Sequence, residues 1–371
     1  MSPWKSAQPG DPFNAIDTPA LVLDLQAFER NLQRMADALA GSNVRLRPHA
    51  KSHKCPEIAR RQMALGAVGI CCQKVSEAAV FVAAGIPDVL VTNEVVGEAK
   101  VRHLIELARQ ARLGVLVDHP LQVQALAAAA KAQGVNLDVF IEINVGANRC
   151  GVEPGDAAVP LALQIGASAP LRFVGLQCYH GAAQHLRSPQ ERANAIRGAA
   201  DAARRTVKAI EVAGIAVERV TGAGTGSFVH ERNSGVFNEV QAGSYVFMDR
   251  DYGDNQRGEG DIVFEHALFV RTTVMSRPTA ERAVVDAGLK ASSVDSGMPT
   301  VWQRPDLRYA KAADEHGALV TPNEAALALG DTLLLVPGHC DPTVNLYDEL
   351  VCYRGDRVEA IWPIAARGAL L

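Results

Sequence analysis

The chain has 371 residues, of which 48% are hydrophobic and 21% are charged, with a formal net charge of −4. This composition is ordinary for a globular protein, and the length fits one large domain plus a smaller one. The slight acidity and the absence of a basic cluster argue against nucleic acid and anionic membranes as partners. No apolar run approaches the roughly 20 residues that span a bilayer, and the first residues do not resemble a signal peptide.

The seven cysteines are scattered along the chain and form no CxxC pair. Cys71 and Cys72 are adjacent inside an apolar run, where the two thiols cannot both bridge outward. This usage is typical of cysteine as a small core residue in a reducing compartment. We therefore expect a cytoplasmic protein.

In chain order, the segment TPALVLDL ends at Asp24, which is a suitable N-cap for an amphipathic helix that follows. Beyond it, short β-rich runs alternate with helical segments, and several runs are nearly continuous in apolar residues, as parallel strands covered on both faces are. Eight strands are predicted within residues 43–51, 69–73, 88–93, 113–118, 137–145, 172–180, 217–224 and 239–247. Eight β/α units in about 230 residues are typical of a closed (β/α)8 TIM-like barrel.

The sequence pattern changes beyond Asp251, where extended runs are joined by short turns and few segments have helical spacing. This pattern predicts a mostly antiparallel β domain, with a boundary in the polar segment DRDYGDNQRGEGD. The expected fold is therefore α/β, with a barrel over residues 20–252 and a C-terminal, mostly antiparallel β domain over residues 253–371. Residues 1–19 are a candidate to pack on the second domain.

Polar residues end most of the predicted strands, and the active site of a β/α barrel lies at these carboxyl ends. The seventh strand runs into TGAGTGS, residues 221–227, and AGSY, residues 242–245, lies at the eighth. A glycine-rich turn alone is more often just a tight turn, but barrels commonly hold a phosphate after strands seven and eight. Glycines let backbone N–H groups approach an anion, and Thr225 and Ser227 add hydroxyl donors.

Lys51 is the sharpest single candidate. Arg47, His49 and Lys51 alternate, so in a strand they share the face that points into the barrel. A buried lysine is costly unless it is paired or used chemically. Desolvation and the two neighbouring cations are expected to lower the pKa of Lys51, which favours a Schiff-base role. Two alternatives stay open: Lys51 is a surface residue beyond the strand, or Lys54 is the functional lysine.

The motif GHCDPT offers a second candidate site. His339 and Asp341 lie two residues apart, so in an extended segment both side chains project from one face and could chelate an ion. A lone His-x-Asp is more often a capped turn. An imidazole with a carboxylate and several waters suits a divalent ion such as Mn²⁺ or Mg²⁺.

Nine segments together resemble the D-threonine aldolase and D-serine dehydratase family, whose members are fold-type III pyridoxal-phosphate enzymes with the alanine-racemase-like fold. The resemblance runs from about residue 17 to the C-terminus and is carried by RPHAKSHK, CCQKVSEA, NRCGV, QCYHG, TGAGTGS, QAGSYVFMD, DAGLK, DEHG and GHCDPT. It implies a β/α barrel followed by a β domain, with pyridoxal 5'-phosphate as cofactor. It also implies a divalent metal, for which Mn²⁺ or Mg²⁺ is expected.

The resemblance assigns roles to individual residues. Lys51 matches the lysine that binds the cofactor aldehyde, and His185 matches a histidine near the substrate β-hydroxyl. His339 and Asp341 match the metal ligands, and Asp at the second position favours the aldolases over the dehydratases, which have Cys there. The other cofactor-binding residues that it implies are Gln73, Arg149, Tyr179, Thr221, Gly224, Thr225, Gly226, Ser227, Gln241, Gly243, Ser244 and Tyr245.

The implied activity is that of an aldehyde-lyase of the D-threonine aldolase type. It would cleave small D-β-hydroxy-α-amino acids to glycine and an aldehyde. One alternative is a 3-hydroxy-D-aspartate aldolase that forms glycine and glyoxylate; another is a D-serine or D-hydroxyaspartate dehydratase. A non-catalytic pyridoxal-phosphate carrier is an alternative from a different class, although such carriers resemble the barrel alone. The protein is expected to be a homodimer or a monomer.

Overall fold

The chain forms two sheets in the structure, a computed structural model that describes residues 5–322 and 327–371. The first strand and helix are β1 (Ala20–Asp24) and α1 (Leu25–Leu39). The parallel strands follow as β2 (Arg45–Leu46), β3 (Ile70–Cys72), β4 (Asp88–Glu94), β5 (Arg112–Val117), β6 (Leu137–Glu142), β7 (Leu171–Gln177), β8 (Arg219–Gly222) and β9 (Glu239–Val240). The helices of this part are α2 (Pro56–Ala64), α3 (Val75–Ala83), α4 (Glu98–Leu107), α5 (Pro120–Gln133), α6 (Val159–Gly166), α7 (Pro189–Val212), α8 (Phe228–Asn233) and α9 (Arg250–Gly253).

The eight parallel strands form a barrel. Their order is β2-β9-β8-β7-β6-β5-β4-β3, and a parallel bridge between His49 and Cys71 joins the first strand segment to the last. The barrel interior holds a small apolar cluster made of Cys71, Leu90, Leu116, Phe140 and Val174. Their sequence neighbours point outward into a larger core under the helices, since side chains alternate along a strand. The predicted TIM-like fold is confirmed.

Local sequence signals explain how the chain enters this architecture. The Asp24 carboxylate accepts hydrogen bonds from the N–H groups of Gln26 and Ala27, which caps α1 as its sequence predicts. Helix α1 then buries Phe28 and Met35 against the core. Within the described part of the chain, no helix is both long and apolar enough to cross a membrane.

The second sheet is mostly antiparallel. Its strands are β10 (Leu268–Thr279), β11 (Arg282–Val285), β12 (Thr300–Val301), β13 (Arg308–Ala312), β14 (Gly317–Val320), β15 (Thr332–Val336), β16 (Glu349–Arg354) and β17 (Arg357–Pro363), with helix α10 (Cys340–Val344) between β15 and β16. The strand order is β13-β14-β11-β10-β1-β16-β17, and β15 pairs with both β10 and β12. Only the β1–β16 pairing is parallel among the described strands of this sheet.

The N-terminal segment belongs to this second sheet. Strand β1 pairs with β10 and β16, although a division at residue 20 assigns it to the barrel. Upstream of it, Gly10 N–H donates to the carbonyl oxygen of Val358, and Pro12 forms an antiparallel bridge with Arg357. An apolar run does not reveal which of two sheets it joins, because both bury it equally well.

Candidate active site

A cavity of about 280 Å³ opens at the carboxyl ends of the barrel strands. It is lined by residues that follow β2, β3, β7, β8 and β9, which are far apart in sequence. The predicted site residues that line it are Lys51, Gln73, Arg149, Tyr179, His185, Gly224, Thr225, Gln241, Gly243 and Ser244. The structure therefore brings most of the predicted set together.

Lys51 projects into this cavity from a 3-10 turn (Ala50–Ser52), not from a strand. Its Nζ lies 2.6 Å from Oδ2 of Asp341, and its side chain is 42% exposed. The negative charge of Asp341 is the main cause of a raised pKa for Lys51, and it outweighs the opposite effect of burial. The expectation of a lowered pKa is thus wrong for the protein without its cofactor.

The two neighbours expected to lower that pKa do not act on Lys51. Arg47 is ion-paired with Asp88 at 2.6 Å and with Glu239 at 3.1 Å, residues that begin strands at the opposite end of the barrel. Burial lowers the pKa of His49 to about 3, so its ring is neutral. Neither Arg47 nor His49 therefore supplies the positive charge beside Lys51 that the alternating pattern predicts.

Lys54, the competing lysine, has a structural role. Its Nζ is 3.0 Å from Oε1 of Glu77, and both side chains are buried. The other oxygen of Glu77 accepts the N–H of Gln73 at 2.6 Å. Because Lys54 does not line the cavity, Lys51 is the lysine available for chemistry there.

Unpaired donors surround one side of the cavity. The Thr225 hydroxyl is buried and has no hydrogen-bond partner among the described residues. No acceptor in that same set receives the backbone N–H of Gly224, Thr225 or Gly243. A Cβ at Gly224 would lie 2.6 Å from Oε1 of Gln184, and one at Gly243 would lie 2.5 Å from the His49 carbonyl oxygen. Only glycine fits such close approaches, and the donors they leave suit an anion.

Three predicted residues support this turn from behind the cavity. The Thr221 hydroxyl accepts from Nε2 of Gln241 at 2.9 Å. Gly226 N–H donates to Oε1 of Gln184 at 3.0 Å, while Nε2 of Gln184 donates to the Ser227 hydroxyl at 2.6 Å. These residues position the turn without lining the cavity.

The structure departs from expectation at Tyr245. Its side chain is buried in the core, where the hydroxyl accepts from Nε2 of Gln62 at 3.2 Å. The ring packs on Phe264 with centroids 5.4 Å apart. The Tyr245 side chain therefore contacts the core and not the cavity, because the 3-10 turn of residues 244–246 directs its middle residue inward.

Arg149 and Tyr179 form another wall. The Arg149 guanidinium carbon lies 5.9 Å from the centre of the Tyr179 ring, and Nη2 lies 3.6 Å from Oε1 of Glu142. Burial raises the pKa of the Tyr179 phenol, so the phenol keeps its proton. Deeper in the barrel, the amides of Gln177 and Gln241 exchange hydrogen bonds of 3.1 and 2.7 Å.

The GHCDPT segment lies beside this cavity but is not extended. His339 is the N-cap of α10, and Asp341 lies in the first turn of that helix, which corrects the expected strand-like geometry. Nδ1 of His339 is 2.8 Å from Oδ2 of Asp295. A carboxylate accepts the Nδ1 proton, which leaves Nε2 as a ligand, and Nε2 has no partner within the described residues. The donor set of imidazole and carboxylate fits a divalent metal.

His185 ends a 3-10 turn (Gly181–His185) and lines the cavity. Its Nδ1 is 2.5 Å from Oδ2 of Asp251. Arg187 donates from Nη2 to the other oxygen of Asp251. The sequence alone did not predict that Asp251 and Arg187 belong to the site. The available signal was the position of Asp251 in the polar segment that was interpreted as a domain boundary.

An acidic cluster near Arg149 was also missed. Ligand-type atoms of Glu94, Asp118 and Cys150 lie within 4.8 Å of one another. Burial, followed by the charge of Glu94, raises the pKa of Glu142 to about 8. Glu94 and Glu142 are the last residues of β4 and β6, so their positions at strand ends were the available signal.

Comparison with known proteins identifies the family. Residues 23–251, more than half of the chain, match the model of the alanine racemase N-terminal domain, and residues 267–353 match a putative serine dehydratase domain. The chain belongs to the alanine racemase N-terminal domain family. The predicted resemblance is confirmed.

Within this family, the chain is similar along its whole length to characterised proteins. It is 50% identical to a D-threonine aldolase from Arthrobacter sp., covering 98% of this chain and 96% of that protein. It is 46% identical to a 3-hydroxy-D-aspartate aldolase from Paracoccus denitrificans (strain Pd 1222), covering 98% and 95%. The crystal structure of D-threonine aldolase from Filomicrobium marinum superposes with a TM-score of 0.97 at 53% identity, covering 99% of this chain and 100% of that one.

The alanine racemase N-terminal domain family implies a pyridoxal-phosphate cofactor, and the residues present fit one. The buried Thr225 hydroxyl and the N–H groups of Gly224 and Gly243, which have no partner among the described residues, suit a phosphate. The Lys51 amine opens into the same cavity and suits an aldehyde. The residues present therefore offer a suitable partner both for the phosphate and for the aldehyde of the cofactor.

Proposed function

We propose that this protein cleaves the Cα–Cβ bond of D-β-hydroxy-α-amino acids of the D-threonine type, giving glycine and an aldehyde. Pyridoxal phosphate and a divalent metal, Mn²⁺ or Mg²⁺, serve as cofactors. The observation that carries this proposal is the ion pair between Lys51, which lines the cavity, and Asp341, with Nζ and Oδ2 2.6 Å apart. It joins the cofactor amine to the metal motif, and two aldolases share 50% and 46% of the sequence.

The barrel residues hold the cofactor. Lys51 holds its aldehyde carbon, and Thr225 with the N–H groups of Gly224 and Gly243 binds its phosphate. When bound, pyridoxal phosphate would accept the electron pair that the broken Cα–Cβ bond leaves on Cα, and a proton from solvent would then complete glycine. Arg149 and Tyr179 line the same cavity, and together these contacts would limit the orientations that the bound cofactor and substrate can take.

His185 takes the proton from the substrate β-hydroxyl through Nε2, because Nδ1 donates to Asp251 and leaves Nε2 as the accepting nitrogen. His339 and Asp341 hold the divalent ion, which as a Lewis acid favours loss of that proton. Asp295 orients His339 through the hydrogen bond to Nδ1. The chemistry requires both sets of residues at one β-hydroxyl.

The nearest rival is dehydration of a D-hydroxy amino acid. A D-threo-3-hydroxyaspartate dehydratase from Delftia sp. (strain HT23) is 31% identical, over 97% of each chain. Against this rival, the second motif position is Asp341, and burial raises the pKa of the neighbouring Cys340 well above its usual range. Cys340 is therefore a protonated thiol, which is a poor metal ligand.

A non-catalytic carrier of pyridoxal phosphate fits less well. Such a carrier has no use for a carboxylate beside the cofactor amine, and Asp341 comes from the part of the chain that builds the second sheet. We further propose a domain division into residues 20–252 and 253–371, with β1 contributed to the second sheet. A cytoplasmic location and a homodimeric or monomeric state complete the proposal.

Product analysis tests the activity. The holoenzyme is incubated with D-threonine or D-3-hydroxyaspartate, with and without Mn²⁺, and with L-threonine as control. The proposal predicts glycine and an aldehyde from the D substrate in the presence of metal. Ammonia and a keto acid would instead indicate a dehydratase. Glycine and glyoxylate formed only from D-3-hydroxyaspartate would indicate a 3-hydroxy-D-aspartate aldolase. No product from any substrate would indicate a non-catalytic carrier.

A further inference from the structure

The carboxylate of Asp251 is shared by two side chains from the loop after β7. Oδ2 lies 2.5 Å from Nδ1 of His185, and Oδ1 accepts from Nη2 of Arg187. The Asp251 side chain is only 7% exposed, whereas His185 is half exposed toward the cavity. Both oxygens of Asp251 are therefore committed, one to a permanent cation and one to the imidazole.

This arrangement selects one tautomer of His185. An ionised carboxylate only accepts hydrogen bonds, so Nδ1 of His185 carries the proton. In the neutral ring the lone pair then resides on Nε2, the nitrogen on the other side of the ring. Arg187 donates to the other oxygen of Asp251, since a guanidinium has donors only, and this contact fixes the position of the carboxylate.

We propose that Asp251, held by Arg187, is the positioning residue that keeps His185 in the tautomer able to accept the β-hydroxyl proton. This inference rests on the proposed function only for the role of His185 as base. The tautomer itself follows from the geometry and is measurable without substrate.

Residues 249–251, the segment that contains Asp251, also hold the GHCDPT loop in place. The Arg250 N–H donates to the carbonyl oxygen of Pro337 at 3.0 Å, and the Asp251 N–H donates to that of Gly338 at 3.2 Å. Oδ2 of Asp249 accepts the N–H of Cys340 at 2.9 Å. Residues 249–251 therefore fix the base and the GHCDPT loop relative to one another.

Asp251→Asn is the decisive substitution. Because Arg187 only donates, the amide oxygen of the new side chain faces Arg187 and its NH₂ group faces Nδ1 of His185. This forces the proton onto Nε2 and removes the base. The same change in a Ser-His-Asp triad lowers kcat about 10⁴-fold. We expect kcat to fall at least about 100-fold here, with KM changed less than about threefold.

The double variant Asp251→Asn/Arg187→Met separates positioning from structural damage. Without Arg187, the amide can turn its oxygen toward His185 and restore the productive tautomer. We expect the double variant to be at least about tenfold more active than Asp251→Asn alone. A merely structural role predicts the opposite, because two lost contacts harm more than one. Asp138→Asn is the matched control, since Asp138 is shared by Arg112 and Arg172 outside the site.

Nitrogen NMR of ¹⁵N-histidine-labelled protein gives a readout that needs no turnover, with His185→Gln identifying the resonances. The expected result is an Nδ1–H tautomer in the wild type and in Asp138→Asn, and an Nε2–H tautomer in Asp251→Asn. An unchanged tautomer or undiminished kcat in Asp251→Asn would overturn the inference. If Asp251→Asn does not fold, Arg187→Met alone decides, with an expected kcat loss of about tenfold. Failure of the wild type to form glycine would refute the proposed function and leave the tautomer result standing.

Discussion

Nζ of Lys51 lies 2.6 Å from Oδ2 of Asp341, although the two residues are 290 positions apart in the chain. The carboxylate raises the pKa of the amine, and the amine in turn helps to lower the pKa of Asp341 against the opposing effect of burial. The amine needs to lose its proton before it can attack an aldehyde. The proposed cofactor and metal sites are therefore coupled through one ion pair.

Asp341→Asn should separate the two sites. Without the negative charge, the pKa of Lys51 falls, so more of the amine is neutral at pH 7 and it captures the cofactor faster. Each pKa unit released is worth about tenfold in neutral amine. Stopped-flow absorbance of apoprotein mixed with pyridoxal phosphate measures this rate, with Asp306→Asn as an exposed control. Slower capture in the variant, or retained aldolase turnover, would contradict the coupling.

Thr225→Val should weaken cofactor binding. The Thr225 hydroxyl is buried and has no partner within residues 5–322 and 327–371, and a hydrogen bond to a charged group contributes about 1.5–3 kcal/mol. We expect the Kd for pyridoxal phosphate to rise about 10- to 100-fold, as measured by equilibrium titration of absorbance. Ser168→Ala, which removes a hydroxyl bonded to the Gln164 carbonyl oxygen, is the control. An unchanged Kd for Thr225→Val would place the phosphate elsewhere.

Asp295→Ala should weaken metal binding without touching the cofactor. Asp295 orients His339, and loss of such a partner typically lowers metal affinity about 10- to 100-fold. Dialysis against a chelator followed by Mn²⁺ titration of activity measures this change. Asp306→Ala, an exposed residue paired with Arg304, serves as control. Full activity after chelation, in any variant, would remove the metal from the account.

Tyr245→Phe should affect stability and leave the cofactor alone. The substitution deprives Gln62 of its hydroxyl acceptor in the core, which costs about 1–3 kcal/mol in the free energy of unfolding. Urea unfolding and cofactor titration on the same preparation measure both quantities. A higher Kd for pyridoxal phosphate with an unchanged free energy of unfolding would instead indicate that Tyr245 binds the cofactor.

Glu231 should make stability fall with rising pH. Burial raises the pKa of Glu231 from an ordinary 4.5 to about 7, so between these values the folded protein binds a proton that the unfolded chain has lost. The stability that this proton contributes is lost as the pH rises through that window, by about 3 kcal/mol in total. Glu231→Gln keeps an acceptor for Ser227 and cannot ionise, so unfolding free energies from pH 5 to 8 should vary less. A steeper slope in this variant than in wild type would contradict the assignment.

The barrel and most of its site were predictable because they depend on local patterns. Nearly continuous apolar runs such as residues 113–117 indicate parallel strands, and glycine-rich turns after late strands indicate a phosphate site. Chain position alone then brings Lys51 and Thr225 to one end of the barrel. These features require no knowledge of tertiary contacts.

What escaped prediction depends on long-range geometry. The strand β1 is apolar in either sheet, so its sequence does not reveal its partners β10 and β16. The pKa of Lys51 is governed by Asp341, which no spacing rule connects to it. Asp251 looked like part of a polar linker, because nothing local marks a carboxylate that binds His185 from 66 residues away.

Reduction of the purified protein with borohydride in the presence of pyridoxal phosphate tests the central claim most directly. The reagent fixes the cofactor on the lysine that holds it, and peptide mass spectrometry then locates the label. We expect a single labelled peptide in the wild type, with the cofactor on Lys51, and no labelled peptide in Lys51→Ala. Labelling of Lys54, or undiminished labelling in Lys51→Ala, would contradict it.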